Sequence, residues 1–510
     1  MSEPLAPVSA TAEPSPWFGQ PRGLTVLFLT NMWEQFSYYG MRALLVYYMT
    51  KQLLLSQGTS SFIYGAYTAG AYFTPIFGGI IADRFLGKRR AIIIGASTMA
   101  AGHFMMAFEP LFYVALATIA LGNGLFLPSL PSQVGDLYER RDPRRGWAFN
   151  VYYVGINIGG FLAPLICGTV GELYGWHYGF GIAGVGMLGG LLIYLSGQKY
   201  LPPEPPRVTK TRQSARSSGF NRWTLFMPIS VTVIVSRVAY ERFGNTVTLW
   251  ADVGIVSLCV VAGLLIYLSR DRTQSREQPL AAASHQSAQS DGFDRRTLLV
   301  LIGIGVAVTV FRSAYEQVGN TVALWADTGV DRAAGAFEIP MTWFQSLNPL
   351  FVMLMTPPLL RYWRLRAERL GDTTPLKRMA QGALLVAVAY LMLAGIEFTN
   401  GGARASWLWL AGFFVIFTFG ELFILPTGLG LFARLAPVTL GATTVAAWFL
   451  ITFSGSLSAG LVGTLWSKLD HGLFFVLLAA LAATAALLLR LLSAPTEAVE
   501  QSRRETLENG

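Results

Sequence analysis

The chain is short of charge. Only 13% of its 510 residues are Asp, Glu, Lys or Arg, while 53% are hydrophobic and the mean hydropathy is +0.46. A soluble chain of this length needs more charge than that to cover its surface. Cysteine is scarce too. Cys167 and Cys259 both lie in apolar runs, which excludes a disulfide framework and a cysteine-built metal site. Four histidines (His103, His177, His285 and His471) make no metal-binding spacing with Asp or Glu. A Walker phosphate loop and a serine nucleophile elbow are both missing, so neither ATP-driven nor hydrolytic chemistry has support. The chain reads as no enzyme, and no cofactor is expected. Residues 1–22 lack a basic segment ahead of a short apolar core. They read as a disordered cytoplasmic tail, not a cleaved leader.

What is present is a series of mostly apolar runs: 23–49, 61–82, 91–108, 112–133, 148–172, 178–198, 223–249, 253–269, 297–323, 341–361, 379–396, 406–432, 442–466 and 472–492. Runs of this kind, separated by polar gaps, mark an all-α polytopic membrane protein. Fourteen is even, so both termini return to one side. Basic clusters at 83–90, 139–145, 207–216, 270–276, 361–369 and 503–504 all fall in even-numbered gaps or beyond the last run. By the positive-inside rule that side is cytoplasmic. The rule also accounts for the net charge of +9, which therefore gives no reason to expect a nucleic-acid partner.

The gaps 199–222 and 270–296 are long and polar, and they bracket two runs. A six-plus-two-plus-six plan follows. It comprises an N-terminal bundle at 23–198, linkers at 199–296 holding an inserted helix pair (223–269), a C-terminal bundle at 297–492 and a cytoplasmic tail at 493–510. Two related six-helix halves are a transporter architecture with a site between them at the midplane. An internal repeat links the inserted pair to the second half: RVAYERFGNTVTLWAD (237–252) matches RSAYEQVGNTVALWAD (312–327) at twelve of sixteen positions.

The first run contains NMWEQFSYYGMR (31–42). A helical step of about 100° puts Asn31, Glu34, Gln35, Tyr38 and Arg42 in one stripe, with Trp33 and Met41 elsewhere. A charge facing lipid at mid-bilayer costs about 2.5–3.5 kcal/mol, so the stripe must face protein or water. A structural polar seam and a pathway lining both fit. Arg312 and Glu316 in the run 297–323, and Glu421 in 406–432, add acids and bases on other helices. Pairs of this kind can close a cavity and exchange partners when it is loaded.

GGIIADRFLGKRR (78–90) resembles the signature loop of the major facilitator superfamily. In it Gly78 and Gly79 would allow close helix contact, Asp83 would cap a helix end, and Arg84, Lys88 and Arg89 would hold the cytoplasmic side. WEQFSYYGMRALLVYYM, YYVGINIGGFLAPL, YEQVGNTVALWAD, WFQSLNPLF, GELFILPTGLGLFARLAP and AAWFL occur in that order. From about Leu24 to Leu492 the chain thereby resembles the proton-dependent oligopeptide transporter family. The resemblance implies two six-helix bundles and import of di- and tripeptides across a bacterial inner membrane, with a proton gradient as energy source.

By the same resemblance, Arg42 would face the peptide carboxylate and Glu421 its amino terminus. Tyr38, Tyr39 and Tyr72 would pack on the peptide, Asn157 and Asn348 would bond its polar groups, and Trp325 and Trp448 would wall a side-chain pocket. Glu316 would pair with Arg42 in a gate. The pattern departs from the family where its first Glu and Arg on helix 1 become Asn31 and Gln35, and where Leu127 replaces a helix 4 Lys. Proton coupling would then use Glu34, Glu316 or Glu421, or be absent. In the latter case the protein would be a uniporter, an exchanger or a carrier of another amphipathic substrate. Arg312 offers a substitute cation at the gate, although Arg237 and Glu241 repeat its spacing in the inserted pair and argue for a structural role. No loop resembles a signalling domain, which disfavours a peptide sensor. The partners expected are a short peptide and the bilayer; no motif specifies an oligomer.

Overall fold

The computed structural model describes residues 19–139, 142–204, 295–370, 373–435 and 441–508. The inserted pair (223–269), with its copy of the repeat, and residues 1–18 lie outside the described residues.

The first bundle contains α1 (Arg22–Tyr47), α2 (Gln57–Ile81), α3 (Lys88–Met105), α4 (Phe112–Asp136), α5 (Arg144–Ala163) and α6 (Trp176–Gly197). The second contains α7 (Arg295–Tyr315), α8 (Phe344–Leu370), α9 (Pro375–Asn400), α10 (Trp407–Leu435), α11 (Gly441–Gly463) and α12 (His471–Leu491). The expected tail contains a helix, α13 (Ser493–Glu508). Pro495 sits in its first turn, where a missing N–H is tolerated. Val499 packs on the core, and Glu497 accepts from Lys377 at 2.9 Å.

Two helices break at useful places. α5 continues through a π-helical turn (Pro164–Gly168) into Thr169–Tyr174. Pro164 has no N–H to give the α-helical ladder, so the turn widens there. α7 tightens into a 3-10 turn (Glu316–Gly319) before Thr321–Thr328. A side chain at Gly319 would run into the Tyr64 hydroxyl, so glycine lets the two bundles touch at this break. α8 extends beyond residue 361, which makes the basic stretch 361–369 helical, not a loop.

Among the described residues, eight spans are long and apolar enough to cross a membrane by length and composition. They contain α4 to α7 and α9 to α12; α1, α2, α3 and α8 are more polar. In α1 the reason is the stripe that holds Glu34 and Arg42. Outward-facing Leu121, Val185, Leu192, Val306, Leu391 and Leu487 stand exposed, as a hydrocarbon solvent requires.

Within the first bundle α3 packs on α4 and α1 on both α5 and α6; within the second α9 packs on α12 and α10, and α7 on α11 and α12. Between bundles, α2 packs on α11 and α5 on α8. Shifting each helix number by six exchanges these two contacts, which is the mark of two related halves.

The stretch 83–90 and the described residues of 139–145 lie at one end. There Gly87 takes a left-handed φ of 79° at the start of α3. Glu204 accepts from the Arg89 amide at 2.5 Å and so fills the capping role expected of Asp83, which is exposed. Gly78 meets the backbone of Gly124 on α4, while Gly79 is in ordinary contact with Pro128.

The bundles are sealed together at the opposite end. Lys51 pairs with Asp327 at 2.7 Å, the Tyr47 hydroxyl donates to Ala323 O at 2.7 Å, and Ser61 donates to Asn320 at 2.9 Å. Glu172 accepts from the amides of Met341 and Thr342 at 3.1 and 3.0 Å. Gly65 of α2 lies so close to Gly460 of α11 that a Cβ on either would meet the other's backbone. Overpacking such a contact costs about 1–3 kcal/mol. Gly65→Leu is therefore expected to push the sealed end apart. A cross-link between Lys51→Cys and Asp327→Cys should form several-fold more slowly in the Gly65→Leu background.

Candidate functional site

A cavity of about 50 Å³ lies between the bundles. Tyr39 and Arg42 of α1 and Pro164 of the α5 turn form one wall. Tyr315, Val318 and Gly319 of the α7 region, Gln345, Asn348 and Pro349 of α8 and Phe417 of α10 form the other. The space suits a few waters. A short peptide needs more, so the walls must separate to admit one.

Arg42 holds the walls together. Its Nη2 donates to Glu316 Oε2 at 2.5 Å, and its Nε donates to the Tyr64 hydroxyl at 2.5 Å. The side chains are 13% and 3% exposed for Arg42 and Glu316, so the pair crosses the bundle interface almost dry. Removing one member of such a pair costs about 3–5 kcal/mol, because the other is left buried and unpaired. Arg312 Nη2 donates to the second oxygen, Glu316 Oε1, from one helical turn earlier. Glu316 is thus gripped by two guanidiniums, one from each bundle. Arg312 lies 5.1 Å above the Tyr72 ring, and its stem fills the space left by Gly455 of α11.

Glu421 sits behind the far wall with neutral partners. Asn348 Nδ2 donates to its Oε2 at 2.5 Å, and the Tyr315 hydroxyl donates to its Oε1 at 2.8 Å. Asn348 also donates to Thr418 at 3.1 Å, which fixes its amide. The site therefore presents a cation from the first bundle and, from the second, a carboxylate held by neutral donors. A zwitterion is the natural complement.

Arg42, Tyr39 and Asn348 line the cavity, and Glu316 and Glu421 are reached from it through single hydrogen bonds. Tyr38 is buried beside it, edge-on to Tyr39 at 5.5 Å between ring centres. Tyr72 lies under Arg312. Asn157 donates to Tyr153 O on its own helix at 2.9 Å and is not in the cavity wall. Trp448 is half-buried on α11 with its ring against Gly428 of α10. Glu34 is fully buried in the first bundle and accepts from Gln35 at 2.7 Å. Asn31 donates to Tyr152 O at 3.1 Å, which ties α1 to α5. Leu127 is half-buried on α4.

The pocket expected of Trp325 needs correction. Its ring is completely buried inside the second bundle, edge-on to Phe475 at 5.6 Å, and its Nε1 donates to Glu397 of α9. An indole buried among apolar side chains needs an acceptor for its N–H, and Glu397 supplies it. Tyr64 and Tyr315 were missed from the sequence. Tyr64 lies two turns before Tyr72 on α2, and Tyr315 adjoins Glu316, so both spacings carried the signal.

A family model described as the POT family matches residues 89–477. The chain belongs to the POT family. Among curated relatives, a di-/tripeptide transporter of Lactococcus lactis subsp. cremoris is 34% identical over 456 residues, covering 85% of this chain and 87% of the relative. The peptide transporter YePEPT of Yersinia enterocolitica is 32% identical, covering 88% of both. Among solved structures, the peptide transporter POT in complex with sulfate superposes with a TM-score of 0.80 at 28% identity, over 95% of this chain and 97% of that one. A POT family transporter in complex with 5-aminolevulinic acid superposes with a TM-score of 0.78 at 26% identity, over 95% and 98%. The fold is that of the major facilitator superfamily, a multi-span helical membrane protein of a bacterial transporter family. These relatives are transporters, not enzymes.

Placing Trp325 in the core separates stability from affinity. Trp325→Phe keeps the packing but takes the donor from Glu397, at about 1–3 kcal/mol. Lowered thermal stability with substrate affinity unchanged is the expected result; detergent-solution melting and direct binding measure the two.

Proposed function

We propose that the protein imports di- and tripeptides across a bacterial inner membrane as a proton-driven secondary transporter, with both termini cytoplasmic. The observation that carries this reading is Arg42 in one wall of the cavity with Glu421 directly behind the opposite wall, bonded to the lining residues Asn348 and Tyr315. A peptide carboxylate would take Arg42 and its amino terminus would take Glu421. The peptide's side chains would then remain free, which permits a broad substrate range.

The sealed end lies away from the basic loops, so the present conformation faces the side that carries them. Rocking of the two bundles would exchange the open and closed ends around the site. The membrane potential supplies about 2.3 kcal/mol per charge per 100 mV, enough for one or two protons to concentrate a neutral peptide.

Proteoliposomes loaded at neutral pH should accumulate labelled dipeptide several-fold faster when an inward proton gradient is imposed. Equal rates with and without the gradient would make the protein a uniporter or exchanger. Arg42→Ala and Glu421→Gln should each weaken dipeptide binding about 30-fold or more, since truncating one partner of a buried charge pair costs about 2–5 kcal/mol. Unchanged affinity in both would place the substrate elsewhere.

A further inference from the structure

Glu316 has two cations where one would close the gate. Arg42 comes from the first bundle and must leave Glu316 for the walls to part. Arg312 comes from the same helix as Glu316, four residues earlier, and travels with it. Arg312 is itself fixed: its stem rests on Gly455, its guanidinium lies over the Tyr72 ring, and its side chain is 8% exposed. Among the described residues, the other ionisable groups near enough to act on Glu316 are the phenols Tyr38, Tyr64, Tyr315 and Tyr390 and the carboxylate Glu421. None of these is a cation.

A buried carboxylate that loses its only cation has two courses: it takes a proton or it finds another positive group. We propose that Arg312 is a positioning residue that serves as the resident counter-ion of Glu316, so that Arg42 can turn to a substrate carboxylate without Glu316 taking a proton. The gate then opens by exchange of one guanidinium partner, and any coupled proton is carried by another acid, Glu34 or Glu421. This inference rests on the peptide-import reading only for the identity of what Arg42 turns to; the state of Glu316 is testable without substrate.

Arg42→Gln imitates the released gate. Infrared spectroscopy of the purified full-length protein in lipid would look for a protonated carboxyl band between pH 5 and 8, assigned to Glu316 by its disappearance on adding Glu316→Gln. The wild type and Arg42→Gln should show no such band. Arg42→Gln/Arg312→Gln should show it. A Glu316 band in Arg42→Gln alone would overturn the proposal, as would its absence from the double variant. Peptide counterflow without a proton gradient gives a second readout. Between pH 6 and pH 8 the wild-type rate should change less than about twofold, whereas Arg312→Gln should lose about tenfold or more as a proton requirement appears. Arg312→Gln/Glu316→Gln should restore the flat profile; an unaltered profile in Arg312→Gln would also overturn the proposal. If no peptide moves in the wild type, the import reading fails while the infrared result still decides the role of Arg312.

Discussion

A carboxylate cannot stand alone in a dry bundle interface, and the centre of this protein is organised around that constraint. Glu316 is 3% exposed and meets Arg42 across the two halves. The attraction is strong because little water screens it, yet the desolvation of both groups keeps the pair from being a permanent lock. A contact of that kind can hold a gate shut and still be displaced by a better-placed anion. The surrounding donors follow from the same need. Tyr64 takes the second face of Arg42, and Arg312 takes the second oxygen of Glu316. Both oxygens of Glu316 and the Nε and Nη2 of Arg42 are answered, which leaves the substrate's own charges as the natural means of rearranging them.

Close packing decides where the bundles can move. Near the sealed end, α2 and α11 touch through Gly65 and Gly460, and the contact has no slack for a side chain. The polar bonds of Lys51, Tyr47, Ser61 and Glu172 lie in the same half of the molecule. Two of the irregular helical turns, Pro164–Gly168 and Glu316–Gly319, flank the cavity. Their hydrogen-bond ladders are already interrupted, so they are the places where a helix can bend with least loss. The site thus sits beside interrupted backbone, next to the region where the two halves touch.

Much of this was legible in the sequence, and the limits have physical causes. Apolar runs gave the helices because hydrocarbon demands them, and the polar stripe on α1 marked the face that lipid could not tolerate. Arg42, Tyr39, Glu316, Asn348 and Glu421 followed from motif and charge. Trp325 did not, because a tryptophan next to a site motif looks the same whether its ring faces the cavity or the core. The sequence held a clue in Glu397, an acid immediately after the run 379–396, which needed a donor and was not given one. Asp83 failed as a cap for a different reason: its rival, Glu204, is more than a hundred residues away, and only the fold brings it to Arg89. The helical state of 361–369 and of α13 was hidden by their charge, which reads as loop in a membrane protein but suits a helix in water.

The replacements on α1 change what the charges can do. Asn31 and Gln35 are both engaged: one amide ties α1 to Tyr152, and the other donates to Glu34. Where the family pattern calls for an acid and a base, this chain has neutral groups with structural bonds, and Leu127 adds no cation. The charges left around the cavity are Arg42, Arg312, Glu316 and Glu421, two of each sign. An entering zwitterion can give its carboxylate to Arg42 and its amine to Glu421, which leaves Arg312 with Glu316. Every charge then has an opposite partner before and after loading except Glu421, which gains a cation only from the substrate. A ligand with a carboxylate but no amine would leave Glu421 as it is in the empty site, and one with an amine but no carboxylate would leave Arg42 at the gate. Under the proposed reading both ends of a peptide would be required for the rearrangement to be complete, and discrimination against simple acids or amines would follow from charge pairing.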